Sequence, residues 1–141
     1  MTTNDTAIQI KNLLGGEWMG EPQFERRNPA DVDDVVFVAP RSTSDDVDDA
    51  VAAATGAQGA WAARPAAARG AVLMDAAELL RARLPEVARD LTREEGKTLA
   101  EATGEVRRAI DVLRFFGSSG WRPAGELLPS ATPATTVHTR A

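Results

Sequence analysis

The sequence predicts an α+β segment: an N-terminal β-hairpin and short strand, then about four amphipathic helices, then an extended C-terminal tail. Three observations carry that expectation. Apolar residues flank a Gly15-Gly16 pair near the start, the apolar spacing becomes helical at Ser44, and beyond Gly117 the chain turns to Gly, Ser, Pro and Thr. A polypeptide of 141 residues has room for one modest core, because a domain of that size buries only about two-thirds of the surface its unfolded chain exposes.

The elements follow in order. Leu13-Leu14-Gly15-Gly16-Glu17-Trp18-Met19 reads as a hairpin, since Gly-Gly supplies the positive φ that a two-residue turn needs. Phe24 to Arg27 reads as an extended stretch that stops at Asn28-Pro29-Ala30-Asp31, where Pro lacks an amide donor and Asn and Asp favour turns. Val35 to Val38 is the next strand, closed by Pro40. Ser44 is the expected N-cap of a first helix, with Asp45 and Asp46 at the positive end of its dipole and Val47, Val51, Ala54 and Trp61 at helical spacing. Gly56 and Gly59 weaken its last turns, and Pro65 ends it or opens the next.

A second helix over 66–84 carries an apolar stripe of Val72, Leu73, Ala76, Leu80 and Leu84, with Arg69, Arg81 and Arg83 outside it. Pro85 suits the first turn of a third helix, whose Val87, Ala88 and Leu91 face inward before Gly96 interrupts. A fourth, from about Thr98 to Phe116, aligns Leu99, Ala102, Val106, Ala109, Ile110, Leu113 and Phe116 on one face; Gly104 is its weak spot and Gly117 its end. No further helix is expected beyond Gly117. Thr135 to Thr139 reads as the beginning of a strand without a later partner in the chain.

Composition narrows the function classes. The formal net charge of −5 and scattered basic residues argue against nucleic-acid or anionic-membrane binding, which need clustered Lys and Arg. Residues Met1 to Ile10 have neither a basic leader nor an apolar run, and no segment has the ~20 apolar residues a membrane helix needs; a cytoplasmic protein is expected. Cysteine is absent, which removes disulfides, thiolate metal sites and thiol nucleophiles.

The residues offer little chemistry. The single histidine, His138, has no nucleophile and orienting partner to complete a triad, and a solvated or strand-borne histidine is the plainer reading. One histidine without cysteine cannot assemble a zinc site. The acidic run Asp45-Asp46, Asp48-Asp49 lacks the Gly and terminal Glu of a calcium loop and reads as a solvated helix start. Gly117-Ser118-Ser119-Gly120 follows a helix, whereas a phosphate cradle follows a strand and opens a helix. Glu94-Glu95-Gly96-Lys97 is the densest polar cluster and reads as surface charge at a helix end. Trp61 and Trp121 are expected in the core. No catalytic, cofactor-binding or metal-ligating residue is assigned.

Several segments nevertheless line up, in order, with one family. Leu13-Leu14-Gly15-Gly16-Glu17-Trp18 is similar to its opening hairpin, Asn28-Pro29-Ala30 to its Asn-Pro-Ala turn, and Ala60-Trp61 with Pro65 and Arg69 to its first helix pair. Glu95-Gly96-Lys97 with Leu99, Glu101-Ala102 and Gly104-Glu105-Val106 is similar to its Gly-Lys signature, Phe115-Phe116-Gly117 to its aromatic pair, and Gly125-Glu126, Pro129-Ser130 and Thr139-Arg140 to its connection toward the interdomain strands. From Leu13 onward the chain thus resembles the N-terminal part of the aldehyde dehydrogenase superfamily. Asn28 to Val36, Leu91 to Thr98 and Phe115-Phe116 look most like the 2,5-dioxovalerate (α-ketoglutaric semialdehyde) dehydrogenases.

The resemblance implies an α/β family fold, with residues 1–12 as a flexible N-terminus and 13–141 as the N-terminal part of an incomplete NAD(P)-binding domain. It implies oxidation of an aldehyde or semialdehyde to the carboxylate with NAD or NADP, by a cysteine thiolate and a glutamate that activates water. Those groups and the Rossmann loop lie outside the matched motifs, so the chain alone is expected to bind no cofactor and to be inactive. A monovalent cation near the backbone of Arg26 and Arg27 and the carboxylate of Glu94 is a further family feature, weakened here by the Arg pair. The expectation is a fragment with an incompletely buried apolar face, self-associating or associating with dehydrogenase subunits. The alternative is a non-catalytic interaction module that docks on a full-length dehydrogenase or another partner.

Overall fold

The computed structural model describes residues 7–122 and 125–139 of the chain. Five strands come first: β1 (Ile8–Gln9), β2 (Asn12–Leu14), β3 (Glu17–Met19), β4 (Phe24–Asn28) and β5 (Asp31–Ala39). Four helices follow, α1 (Ser44–Ala63), α2 (Ala66–Ala82), α3 (Leu84–Glu95) and α4 (Leu99–Ser118), then a single 3₁₀ turn over Ser119–Trp121 and the strands β6 (Leu127–Pro129) and β7 (Thr136–His138). The α+β order expected from the sequence is the order found.

β2 and β3 form the predicted hairpin, with Leu13 opposite Trp18 and both turn glycines at positive φ, +59° and +95°; that pair of conformations matches the twist of the flanking strands. β5 is central in a three-stranded sheet, antiparallel to β4 and parallel to β1. It is longer than the Val35 to Val38 stretch read from the sequence, because the Asn28-Pro29-Ala30 turn folds it directly back on β4. β1 lies within the stretch expected to be flexible: Ile8 and Gln9 pair with Phe37 and Val38. Residues 1–6 of that stretch lie outside the described residues.

The starts of α1 and α4 are set by side chains that satisfy otherwise unpaired amides. The N-cap of α1 is Thr43, not the expected Ser44. The Thr43 hydroxyl accepts from the Asp46 amide and the Asp46 carboxylate accepts from the Thr43 amide at 2.7 Å, a reciprocal box that Ser44 has no acid in position to complete. Thr98 and Glu101 repeat the arrangement at α4. Gly56 and Gly59 leave α1 unbroken to Ala63, and Gly104 leaves α4 unbroken. α2 stops at Ala82, short of the expected Leu84, which instead opens α3 with Pro85 in the first turn where its missing amide costs nothing. Gly96 ends α3 in the left-handed conformation, φ +74°.

The helical core is small: Ala77 of α2, Ala88 of α3, and Ala102, Val106 and Ile110 of α4 are buried, with Leu80, Leu84, Val87, Leu91 and Leu113 packed around them. Small side chains let α2 and α4 approach closely. Gly70 and Gly117 face each other at the crossing, and Gly120 lies against the Ala66 carbonyl, so that a Cβ at any of the three would run into its neighbour. A second patch of burial is in β5, where Val35, Val36 and Ala39 are covered and Val36 is 1% exposed.

Several residues expected inward are exposed. Leu99, Ala109 and Phe116 of α4 and Val72 of α2 lie outside the contact, since a helix buries only the part of its apolar stripe that meets a neighbour. Trp61 and Trp121 are also exposed, Trp121 at 81%. α1 buries no residue at all. In the tail, the strand expected within Thr135 to Thr139 is present as β7, and its partner is an earlier one: it pairs antiparallel with β6, Leu128 opposite Val137.

Candidate functional site

The densest set of charged side chains gathers where the β4–β5 turn meets the end of α3 and the start of α4. The Asn28 side chain accepts from the Ala30 amide at 2.9 Å, which forms the turn, and its Nδ2 donates to Asp34 Oδ2. Asp34 in turn receives Arg93 from α3 in a two-point grip, Nε to Oδ2 at 2.9 Å and Nη2 to Oδ1 at 2.6 Å, and the same Nη2 donates to the Val35 carbonyl. Both partners are largely covered, with 22% of the Asp34 side chain and 25% of that of Arg93 exposed. Gly96 then tucks against Pro29, so the turn and the helix end interlock.

Lys97 follows. Its Nζ lies 2.6 Å from Glu95 and 2.6 Å from Glu105, joining the end of α3 to the second turn of α4. Glu94, beside Glu95, is half-buried on α3.

Electrostatics decide what this cluster can do. The Arg93 hydrogen bonds, outweighing partial burial and helped by Asn28, lower the Asp34 carboxyl to about 2. The hydrogen bonds that Lys97 donates to Glu105 and then to Glu95 raise it above the ordinary lysine range, and the Thr98 hydroxyl and amide lower Glu101. Each shift pushes a group further into its charged form. A general acid or base near neutral pH needs the reverse, a carboxyl raised or a lysine lowered. The contacts of the cluster clasp the β4–β5 turn to α3 and the end of α3 to α4.

The remaining candidates are dispersed. His138 is exposed on β7 opposite Leu127, and none of the polar contacts among the described residues gives it a nucleophile. Arg26 pairs with Phe37 in the sheet, while Arg27 donates to the Val32 carbonyl and pairs with Glu25. Among the described residues no group of three or more His, Cys, Asp or Glu side chains is arranged to hold a metal ion.

A dinucleotide needs glycine backbone free to approach its phosphates. Gly15 and Gly16 turn a hairpin, Gly56, Gly59 and Gly104 lie inside helices, and Gly117 and Gly120 are packed against Met74, Gly70 and Ala66. Among the described residues no glycine forms a loop between a strand and a helix N-terminus, where a dinucleotide phosphate would sit.

Three groups of apolar side chains stand open on the surface. Val47, Ala50, Val51 and Ala54 of α1 form an open groove with Leu13 and Leu14 of β2. Val112, Phe115 and Phe116 stand exposed on α4, with Arg122 stacked over Phe115 at 5.0 Å. Leu127, Leu128 and Val137 are exposed on the β6–β7 ribbon. Large apolar patches on one molecule mark surfaces that another covers.

Sequence reasoning missed two features. The Asp34–Arg93 grip joins residues 59 apart and leaves no local pattern. The Gly70, Gly117 and Gly120 crossing has a signal in its small residues, which reading Gly117 as a helix end, a rejected phosphate cradle and part of an aromatic motif does not use.

Comparison with known proteins places these features. Residues 18–141 match the model of the aldehyde dehydrogenase family. The chain is 42% identical over 122 residues to the alpha-ketoglutaric semialdehyde dehydrogenase of Bacillus subtilis, an alignment that covers 84% of this chain and 25% of that protein. It is 39% identical over 112 residues to the 2,5-dioxopentanoate dehydrogenase of Saccharolobus solfataricus, covering 79% of this chain and 23% of that protein. Among solved structures it superposes on aldehyde dehydrogenase 21 from Physcomitrella patens, in complex with the reaction product succinate, with a TM-score of 0.78 and 33% identity over 92% of this chain and 27% of that one. A NAD-dependent benzaldehyde dehydrogenase from Corynebacterium glutamicum gives a TM-score of 0.75 and 36% identity over 87% of this chain and 27% of that one. The chain spans about a quarter of the length of these relatives.

Proposed function

The chain belongs to the aldehyde dehydrogenase family, and from that premise we propose that it is the N-terminal quarter of an NAD(P)-dependent enzyme that oxidises a semialdehyde of the 2,5-dioxovalerate type to its carboxylate. The observation that carries this reading is the alignment of most of the chain with about a quarter of such a dehydrogenase. The uncovered apolar residues of α1, α4 and the β6–β7 ribbon support it, because a segment taken from a larger α/β enzyme leaves open the faces that its other layers cover. A thiolate nucleophile has to come from other residues, since these contain no cysteine. No step of the oxidation is assigned to side chains of this chain; its part is a folded hairpin and helical layer held by the Asp34–Arg93 clasp. A cytoplasmic location and association with dehydrogenase subunits belong to the same proposal.

The test is the DNA that follows the codon for Ala141, read in all three frames. A coding stretch with a Gly-rich nucleotide loop and a catalytic cysteine supports the proposal. A stop followed by unrelated sequence overturns it and leaves the second reading, a non-catalytic module that docks on a full-length dehydrogenase through the same exposed apolar residues. Co-purification of the chain with such a subunit then supports that reading, and a clean monomer in the presence of the subunit counts against it.

A further inference from the structure

We draw no further inference here: the strongest candidate, the open apolar groove between β2 and α1 lined by Leu13, Leu14, Val47 and Val51, carries nothing because nothing in the structure shows what covers it.

Discussion

Replacing Gly70 with Ala should destabilise the chain although Ala is the better helix former. On propensity alone the change gains about 1 kcal/mol in a helix interior. Gly70, however, lies where α2 crosses α4, and a Cβ there meets the Gly117 carbonyl, a backbone atom that no rotamer change can move aside. The approach is tight from the other side too, with the Cβ position of Gly117 only 3.0 Å from the Gly70 carbonyl. Overpacking costs about 1–3 kcal/mol, and a backbone obstacle belongs in the upper part of that range. The net expectation is a loss of about 1–2 kcal/mol, equivalent to a fall in Tm of roughly 3–6 °C for a chain this long. Gly104→Ala is the control. It lies in α4 with nothing within 4 Å of its Cβ position, so the propensity gain stands alone, about 0.5–1 kcal/mol. Far-UV circular dichroism during heating and urea titration of the purified chain and both variants measures the two shifts. Because helix propensity acts alike in both, the difference of about 2–3 kcal/mol between them isolates the crossing. Gly70→Ala melting at or above the parent chain, or Gly104→Ala falling as far as Gly70→Ala, would refute the reasoning.

Three further outcomes are expected. Gly96→Ala places a Cβ at φ +74° and 2.8 Å from the Pro29 ring, and should lower stability by about 1–2 kcal/mol; an unchanged urea midpoint contradicts the interlock of α3 with the β4–β5 turn. Arg93→Ala should cost about 1.5–3 kcal/mol, the scale of hydrogen bonds to a charged partner. Its acid behaviour is diagnostic: Asp34 is lowered from 3.8 to about 2, so its contribution is complete above about pH 4 and drains away as pH falls toward 2. That acid-side loss should be reduced in the variant, and an identical pH profile in both proteins would disprove the assignment. Finally, the purified chain should enhance the fluorescence of a hydrophobic dye through its exposed Val, Phe, Leu and Trp side chains; no enhancement together with a sharp thermal transition argues against open apolar faces.

Much of the fold was legible where a residue does something only it can do. Gly15-Gly16 turns the hairpin, and Pro85 and Gly96 bracket α3. Legibility failed where two residues could serve equally. Ser44 and Thr43 both carry a capping hydroxyl, and only the reach of Asp46 back to Thr43 decides between them. It failed again on the outer positions of α4, since the spacing of Leu99, Ala109 and Phe116 defines a stripe but says nothing of how much of it a neighbour touches. β6 has three residues, one of them Pro, too few for a period to show. In the charged cluster the residue types were visible, while the pairing of Asp34 with Arg93 depends on the chain path between them.

The parallel pairing of β1 with β5 bears on the order in which the chain assembles. Ile8 lies beside Phe37, Gln9 beside Val38, and the Ile10 amide donates to the Val38 carbonyl at 2.9 Å, so a two-residue strand must capture a partner far along the sequence. Closing such a loop directly forfeits about 3 kcal/mol of chain entropy in its length-dependent part, against a net gain of about 1 kcal/mol for each hydrogen bond. Folding β5 onto β4 first, and β2 onto β3, shortens the loop left to close. The hairpins therefore come before β1, which settles last against an edge already in place. In hydrogen exchange the same order runs backwards: the amides of β1 should release their protons while those of the β4–β5 ladder are still protected.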